Sequence, residues 1–211
     1  MNSNKNQTFE QMRLAALDWL ANRDPHELAK NAGVHYEEGT QVFSFSSLGT
    51  DLILTYPDYH IAPQVDEWHY LLILHYFHLA DGTPLTGTEI SFSQMNAGMV
   101  RGGGIDRKCE AAIQSLKALD EASLAYICTG MGGQKISSNA DVSYRIPFLP
   151  RFPVTLNIWL PDEEFPVSGR LLLDRSADHY FTIEDAVTVA EILISRLLEK
   201  QAGFSPSETE A

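Results

Sequence analysis

The sequence predicts an α+β fold: a mainly antiparallel sheet packed with helices in a single domain. Three observations carry this. Segments with helical spacing and segments with period-two alternation succeed one another without a regular strand–helix–strand order. The strand candidates come in pairs joined by short turns, the connection that antiparallel neighbours use. The 211 residues fit one ordinary domain, with 44% hydrophobic and 20% charged residues, no internal repeat and no low-complexity linker.

The elements follow in order. Met1–Gln7 is polar and is expected to be disordered. Thr8 with Gln11 forms a capping-box pattern, and Phe9, Met12, Ala16, Trp19 and Leu20 make one helical face to about Asn22. Asp24-Pro25 reads as an N-cap and first helical proline, with Gly33 as the left-handed cap after Asn31. Thr40–Phe45 and Asp51–Tyr56 read as strands turning at Leu48-Gly49-Thr50. Asp66 caps a helix over Glu67–Leu79. Glu89–Phe92 reads as a short strand. Arg101-Gly102-Gly103-Gly104 is expected to be a flexible loop before a helix Ile105–Leu119. Ser123–Cys128 fits helix or strand. Gly130–Gly133 turns into a strand Ala140–Ile146.

The stretch Tyr144–Leu198 is the densest in signals. Val154, Leu156, Ile158 and Leu160 alternate with Thr155, Asn157 and Trp159, a half-buried strand that Pro161 ends. Asp162-Glu163-Glu164 is a turn, and Val167–Leu173 pairs back as a second strand. Its Leu171-Leu172-Leu173 run points to burial on both faces. Thr182 and Asp185 make a carboxylate capping box for a helix Ile183–Glu199. The domain is read as residues 8–202, and the tail 203–211 as disordered.

Charge bounds the partners. The chain carries 28 acidic and 15 basic residues, a net charge of −13. Such a field argues against nucleic acid and anionic membrane as partners. The N-terminal MNSNKNQTFEQM has no apolar core for a signal peptide, and Tyr70–Ala80 is too short to span a bilayer. The expected location is cytoplasmic. Cys109 and Cys128 form no CxxC pair and read as buried structural thiols.

Several motifs resolve to plain structure. The GGGIDR stretch matches neither a dinucleotide fingerprint nor a phosphate loop. His75 and His78 stand three apart, not four, with no glutamate between, and read as helix-packing residues. No nucleophile elbow and no HExxH occurs. The residues name no cofactor and no metal ligand set.

One surface stands out as a ligand-binding candidate: Trp159 with Asp162, Glu163 and Glu164, and the loop of Asp174, Asp178, His179 and Tyr180. Carboxylates beside an imidazole can do acid–base work or bind a divalent cation. Pro161 and Pro166 should stiffen the turn and pack Phe165, leaving an acid in a concave surface. A buried Phe165 would put the cost of Phe165→Ala at about 3–5 kcal/mol.

At these residues a resemblance enters. The segment Arg151–Asp185, RFPVTLNIWLPDEEFPVSGRLLLDRSADHYFTIED, resembles the core of the domain of unknown function family 3786. Leu74–Phe92, LHYFHLADGTPLTGTEISF, resembles a second motif of that family, and the likeness covers residues 8–199. It implies an uncharacterised soluble protein typical of anaerobic bacteria and archaea. Some relatives carry an iron–sulfur domain like that of corrinoid and acetyl-CoA synthase proteins, and two cysteines depart from the four thiolates such a cluster takes. The expectation is a non-enzymatic binding or accessory module, linked to anaerobic corrinoid or iron–sulfur metabolism, with an unknown protein or small molecule as partner. The alternative is an enzyme using His179 and nearby carboxylates such as Asp174 and Glu164, with or without a divalent metal. A homo-oligomer joined through strand edges or apolar faces is the third reading.

Overall fold

A computed structural model describes residues 2–115 and 120–203. The fold is α+β with two antiparallel sheets. Helices α1 (Asn2–Leu20) and α2 (Pro25–Ala32) precede strands β1 (His35–Glu37), β2 (Val42–Ser47), β3 (Thr50–Thr55) and β4 (Ile61–Ala62), which form the first sheet in chain order. Helix α3 (Glu67–Leu79) leads to β5 (Glu89–Ile90), a 3₁₀ turn Phe92–Gln94, α4 (Gly98–Ser115) and α5 (Glu121–Thr129). Then come β6 (Gln134–Lys135), β7 (Val142–Leu149), β8 (Phe152–Trp159), β9 (Ser168–Asp174), a 3₁₀ turn Arg175–His179 and α6 (Ile183–Gly203). The second sheet runs β5-β9-β8-β7-β6.

Helix α3 sits at the centre. Leu71, Leu72, Ile73, Leu74, Tyr76 and Phe77 are all buried, so the helix is apolar around most of its girth, as an enclosed helix must be. On one side Phe77 meets Phe43 of the first sheet edge-on at 4.9 Å. On the other Tyr76 stacks on Tyr180 at 5.6 Å. The two sheets also join directly where the β2–β3 hairpin turns. Leu48 and Gly49 both have positive φ, the requirement of a two-residue hairpin turn. The Leu48 amide donates to the Pro147 carbonyl at 3.1 Å, and a Cβ on Gly49 would lie 2.9 Å from the Gly132 nitrogen.

The caps fall where the sequence places them. Asp24 accepts from the His26 amide, Gly33 takes φ 68, Asp66 accepts from the Trp68 amide, and Thr182 exchanges hydrogen bonds with Asp185. Other boundaries move. Helix α1 begins at Asn2, before the expected cap Thr8, because no glycine or proline interrupts the turns ahead of it. The glycines at 102–104 lie inside α4 and are not a loop. A Cβ on Gly98 would meet the Phe92 carbonyl at 2.2 Å, and one on Gly102 the Ser93 amide at 2.2 Å. These glycines let the helix press onto the backbone of the preceding 3₁₀ turn; they serve close approach, not mobility. The expected end of that helix, residues 116–119, and the tail from 204 lie outside the described residues. Ser123–Cys128 resolves as helix α5, capped by Asp120. No helix among the described residues is long and apolar enough to cross a membrane.

Candidate ligand-binding groove

Strands β8 and β9 place the residues that matter. Their register sets Trp159 against Ser168 and Asn157 against Arg170. Trp159 and Arg170 therefore share one face of the sheet, and the Arg170 guanidinium lies 5.3 Å from the indole centroid. The opposite face of β9 presents Gly169, Leu171 and Leu173, all facing the core. Glycine fits there closely: a Cβ on Gly169 would lie 2.8 Å from the Asn157 carbonyl oxygen and 2.7 Å from Ile113 Cδ1 of α4. Strand β5 pairs only with Leu173 and Asp174, so among the described residues the outer side of Ser168–Leu172 carries no strand.

A cleft of about 560 Å³ opens along that edge. Its walls are Asp106, Arg107 and Glu110 of α4 and Trp159, Arg170 and Leu172 of the sheet. This is the size of a small-molecule site, with an apolar plane and a few charged groups at its rim. Burial pushes the Asp106 carboxyl up, and the nearby Arg170 charge opposes the rise. Trp159 is the one predicted site residue that lines this cleft. The α4 residues carry no local mark of a site, because only the packing of α4 over β9 brings them to the cleft. Asp106 and Glu110 stand four apart on one helical face, which by itself names no site.

The other predicted residues fall at two opposite ends of β9. Trp159 and Ser168 mark one end and Asp174 the other, six residue steps of strand or about 20 Å away. The acidic turn and the histidine loop therefore do not form one surface, and His179, Asp174 and Glu164 do not converge. At the far end Asp174 accepts from the amides of Thr86, Gly87 and Ser176 and from the hydroxyls of Thr86 and Ser176. Burial would raise its pKa, but these donors outweigh it and hold the carboxylate low. His179 Nδ1 lies 2.7 Å from Asp81, Tyr180 donates to the Thr83 carbonyl, and Asp178 accepts from the Asn96 amide. Burial pushes Asp81 up, yet its hydrogen bonds with His179 and Thr83 bring it down to about 2. Asp174, Asp178, His179 and Tyr180 thus pin residues 81–96 to the second sheet. The two segments that resemble the family core meet at this knot.

The acidic turn is solvated. The Asp162 carboxylate accepts from the Glu164 and Phe165 amides and closes the turn itself. Those bonds lower its pKa. Glu163 and Glu164 are exposed, and so is Phe165, at 66%. The expectation of a packed Phe165 fails, because an aspartate turn between two prolines needs no apolar anchor.

Two histidine pairs have the look of acid–base dyads. Ser47 Oγ lies 2.8 Å from His69 Nε2 and 2.5 Å from the Phe148 carbonyl. A carbonyl only accepts, so the single hydroxyl proton goes to Phe148 and His69 Nε2 must donate to Ser47. That direction is the reverse of a base activating a nucleophile. Burial, helped by Arg196, pushes His69 down to about 4, so it is neutral at pH 7. His75 Nδ1 lies 2.7 Å from Asp185 Oδ1, while Thr182 holds the other carboxylate oxygen. Trp19 covers both His75 and His78 with ring centroids at 5.7 and 4.8 Å. His78 Nδ1 is buried without a partner among the described residues. Cys109 and Cys128 are buried, and burial pushes both thiols up to about 12, far from the thiolate form. Among the described residues no group of three or more His, Cys, Asp or Glu side chains is placed to hold a metal ion.

Fold and cleft together define an α+β domain of two antiparallel sheets around one helix, with an open groove at a strand edge. The chain belongs to the family of the domain of unknown function DUF3786, whose model matches residues 24–196. Neither a curated protein nor a solved structure matches the chain.

Proposed function

We propose that this chain is a non-enzymatic binding module whose ligand occupies the groove between α4 and the edge of β9. The observation that carries the proposal is the pairing of Trp159 and Arg170 along a cleft of about 560 Å³. An indole under a guanidinium, with half-buried Leu172 nearby, offers a plane for a flat apolar body. Arg107 on one rim and Asp106 and Glu110 on the same helix offer partners for charged substituents. The ligand class is therefore a planar small molecule bearing at least one charged group. Asp162, Glu163 and Glu164 follow Trp159 on the exposed turn and serve as outer rim acids. Asp174, Asp178, His179 and Tyr180 act at a distance, holding the chain that leads through β5 to Ser91 in the groove wall. A link to anaerobic corrinoid or iron–sulfur metabolism rests on the family resemblance alone and adds no residue to this site.

The test is a thermal-shift screen with planar aromatic acids and amines. Compounds that raise Tm of the wild type should lose that effect in the double variant Trp159→Leu, Arg170→Ser. Hits that stabilise the variant as much as the wild type would place the binding elsewhere and overturn the proposal.

A further inference from the structure

A second concavity, sharing no lining residue with the groove just described, lies between the β2–β3 turn and helix α6. It has a volume of about 240 Å³, and Ser47, Thr50, Gln64, His69, Arg196 and Lys200 line it. Arg196 and Lys200 stand four apart, so α6 presents both cations on one face. The Lys200 side chain lies against the turn after α5: its Nζ is 3.2 Å from where a Cβ on Gly130 would be. Among the described residues Lys200 has no ion pair. Arg196 gives one nitrogen to Glu199 at 3.2 Å on the solvent side, and its charge is felt by buried His69. The wall also contains one carboxylate, Asp66, whose Oδ1 is taken by the Trp68 amide. The lining itself carries two cations and one acid, and Glu199, which pairs with Arg196, stands outside it. Thr50 and Gln64 add neutral hydrogen-bonding groups, and the volume suits an ion of a few heavy atoms.

We infer that this pocket binds a small anion, a phosphate or a carboxylate, between Arg196 and Lys200. Such groups accept charge-assisted hydrogen bonds from a guanidinium and an ammonium together. His69 takes no charge in this account, since it stays neutral through the physiological range. Its hydrogen bond to Ser47 fixes the pocket floor.

Calorimetric titration of the full chain tests this with two probes, inorganic phosphate and succinate, in sodium chloride of matched ionic strength. At least one should bind saturably. Arg196→Gln and Lys200→Gln should each weaken that binding about tenfold, the loss of one charge-assisted contact. Glu199→Gln frees the Arg196 guanidinium and should tighten it. Heat from phosphate alone assigns a phosphoryl ligand, and heat from succinate alone a carboxylate. No saturable heat from either probe overturns the inference. So does binding that survives both cation substitutions in a protein whose circular dichroism is unchanged.

Discussion

His75 on α3 and Asp185 on α6, 110 positions apart, meet at 2.7 Å with both side chains nearly buried. This contact ties the central helix to the start of the last one. Asp185 also caps its own helix through Thr182, so one carboxylate serves both purposes. Burial alone would raise its pKa; the hydrogen bonds from His75 and Thr182 reverse that and lower it. Removing the carboxylate with Asp185→Ala should cost about 1.5–3 kcal/mol, the loss of hydrogen bonds to a buried charged acceptor. The folded pKa lies below the unfolded value of about 3.9, so this stabilisation is present above that pH and fades as pH falls through the folded value. Urea unfolding followed from pH 7 to 3 should show the gap between wild type and Asp185→Ala narrowing at the acid end. A constant gap would contradict the assignment.

The glycines of α4 give a paired test. Gly102 sits against the Ser93 backbone, whereas nothing lies within 4 Å of a Cβ on Gly104. Gly102→Ala should destabilise by about 1–3 kcal/mol, because backbone cannot yield as a side chain would. Gly104→Ala should stabilise by about 0.5–1 kcal/mol through helix propensity. Denaturation midpoints of the two variants should move in opposite directions.

Asp174 is the hub that fixes residues 86–88 to the end of β9. In Asp174→Asn one oxygen becomes an NH₂ group facing the Gly87 amide or the Thr86 and Ser176 donors. The expected cost is about 2–3 kcal/mol, that of losing a charged acceptor for several donors. Hydrogen exchange at the Thr86 and Gly87 amides should speed up before global unfolding, which locates the effect.

Phe165→Ala should change stability by no more than about 0.5 kcal/mol, as for other exposed positions. Glu164→Gln should be equally silent. A loss of several kcal/mol in Phe165→Ala would mean that the ring packs after all.

The fold class and most caps were legible because they depend on neighbours in sequence. Asp24 before Pro25, Asp66 before Glu67 and Thr182 before Asp185 each complete their contacts within a few residues. The glycines of α4 were misread because their reason, a close approach to Ser93, is tertiary. The candidate site was half legible. Trp159 was visible on an alternating strand, but its partners Asp106, Arg107 and Glu110 come from a helix that no local pattern places over β9. Acid clustering misled most. Asp162 and Asp174 are close in sequence, yet a strand's length separates the two ends, and each carboxylate is spent on nearby amides.

The most direct test of the proposed groove is a nitrogen-15 NMR titration with the strongest compound from the aromatic screen. The chain has three indoles, at Trp19, Trp68 and Trp159, so the spectrum contains its own controls. The account predicts that the Trp159 indole and the amides of Gly169, Arg170, Leu171 and Leu172 shift together and saturate, with Trp19 and Trp68 still. Shifts that centre on Trp19 or Trp68 and leave Trp159 unmoved would contradict it.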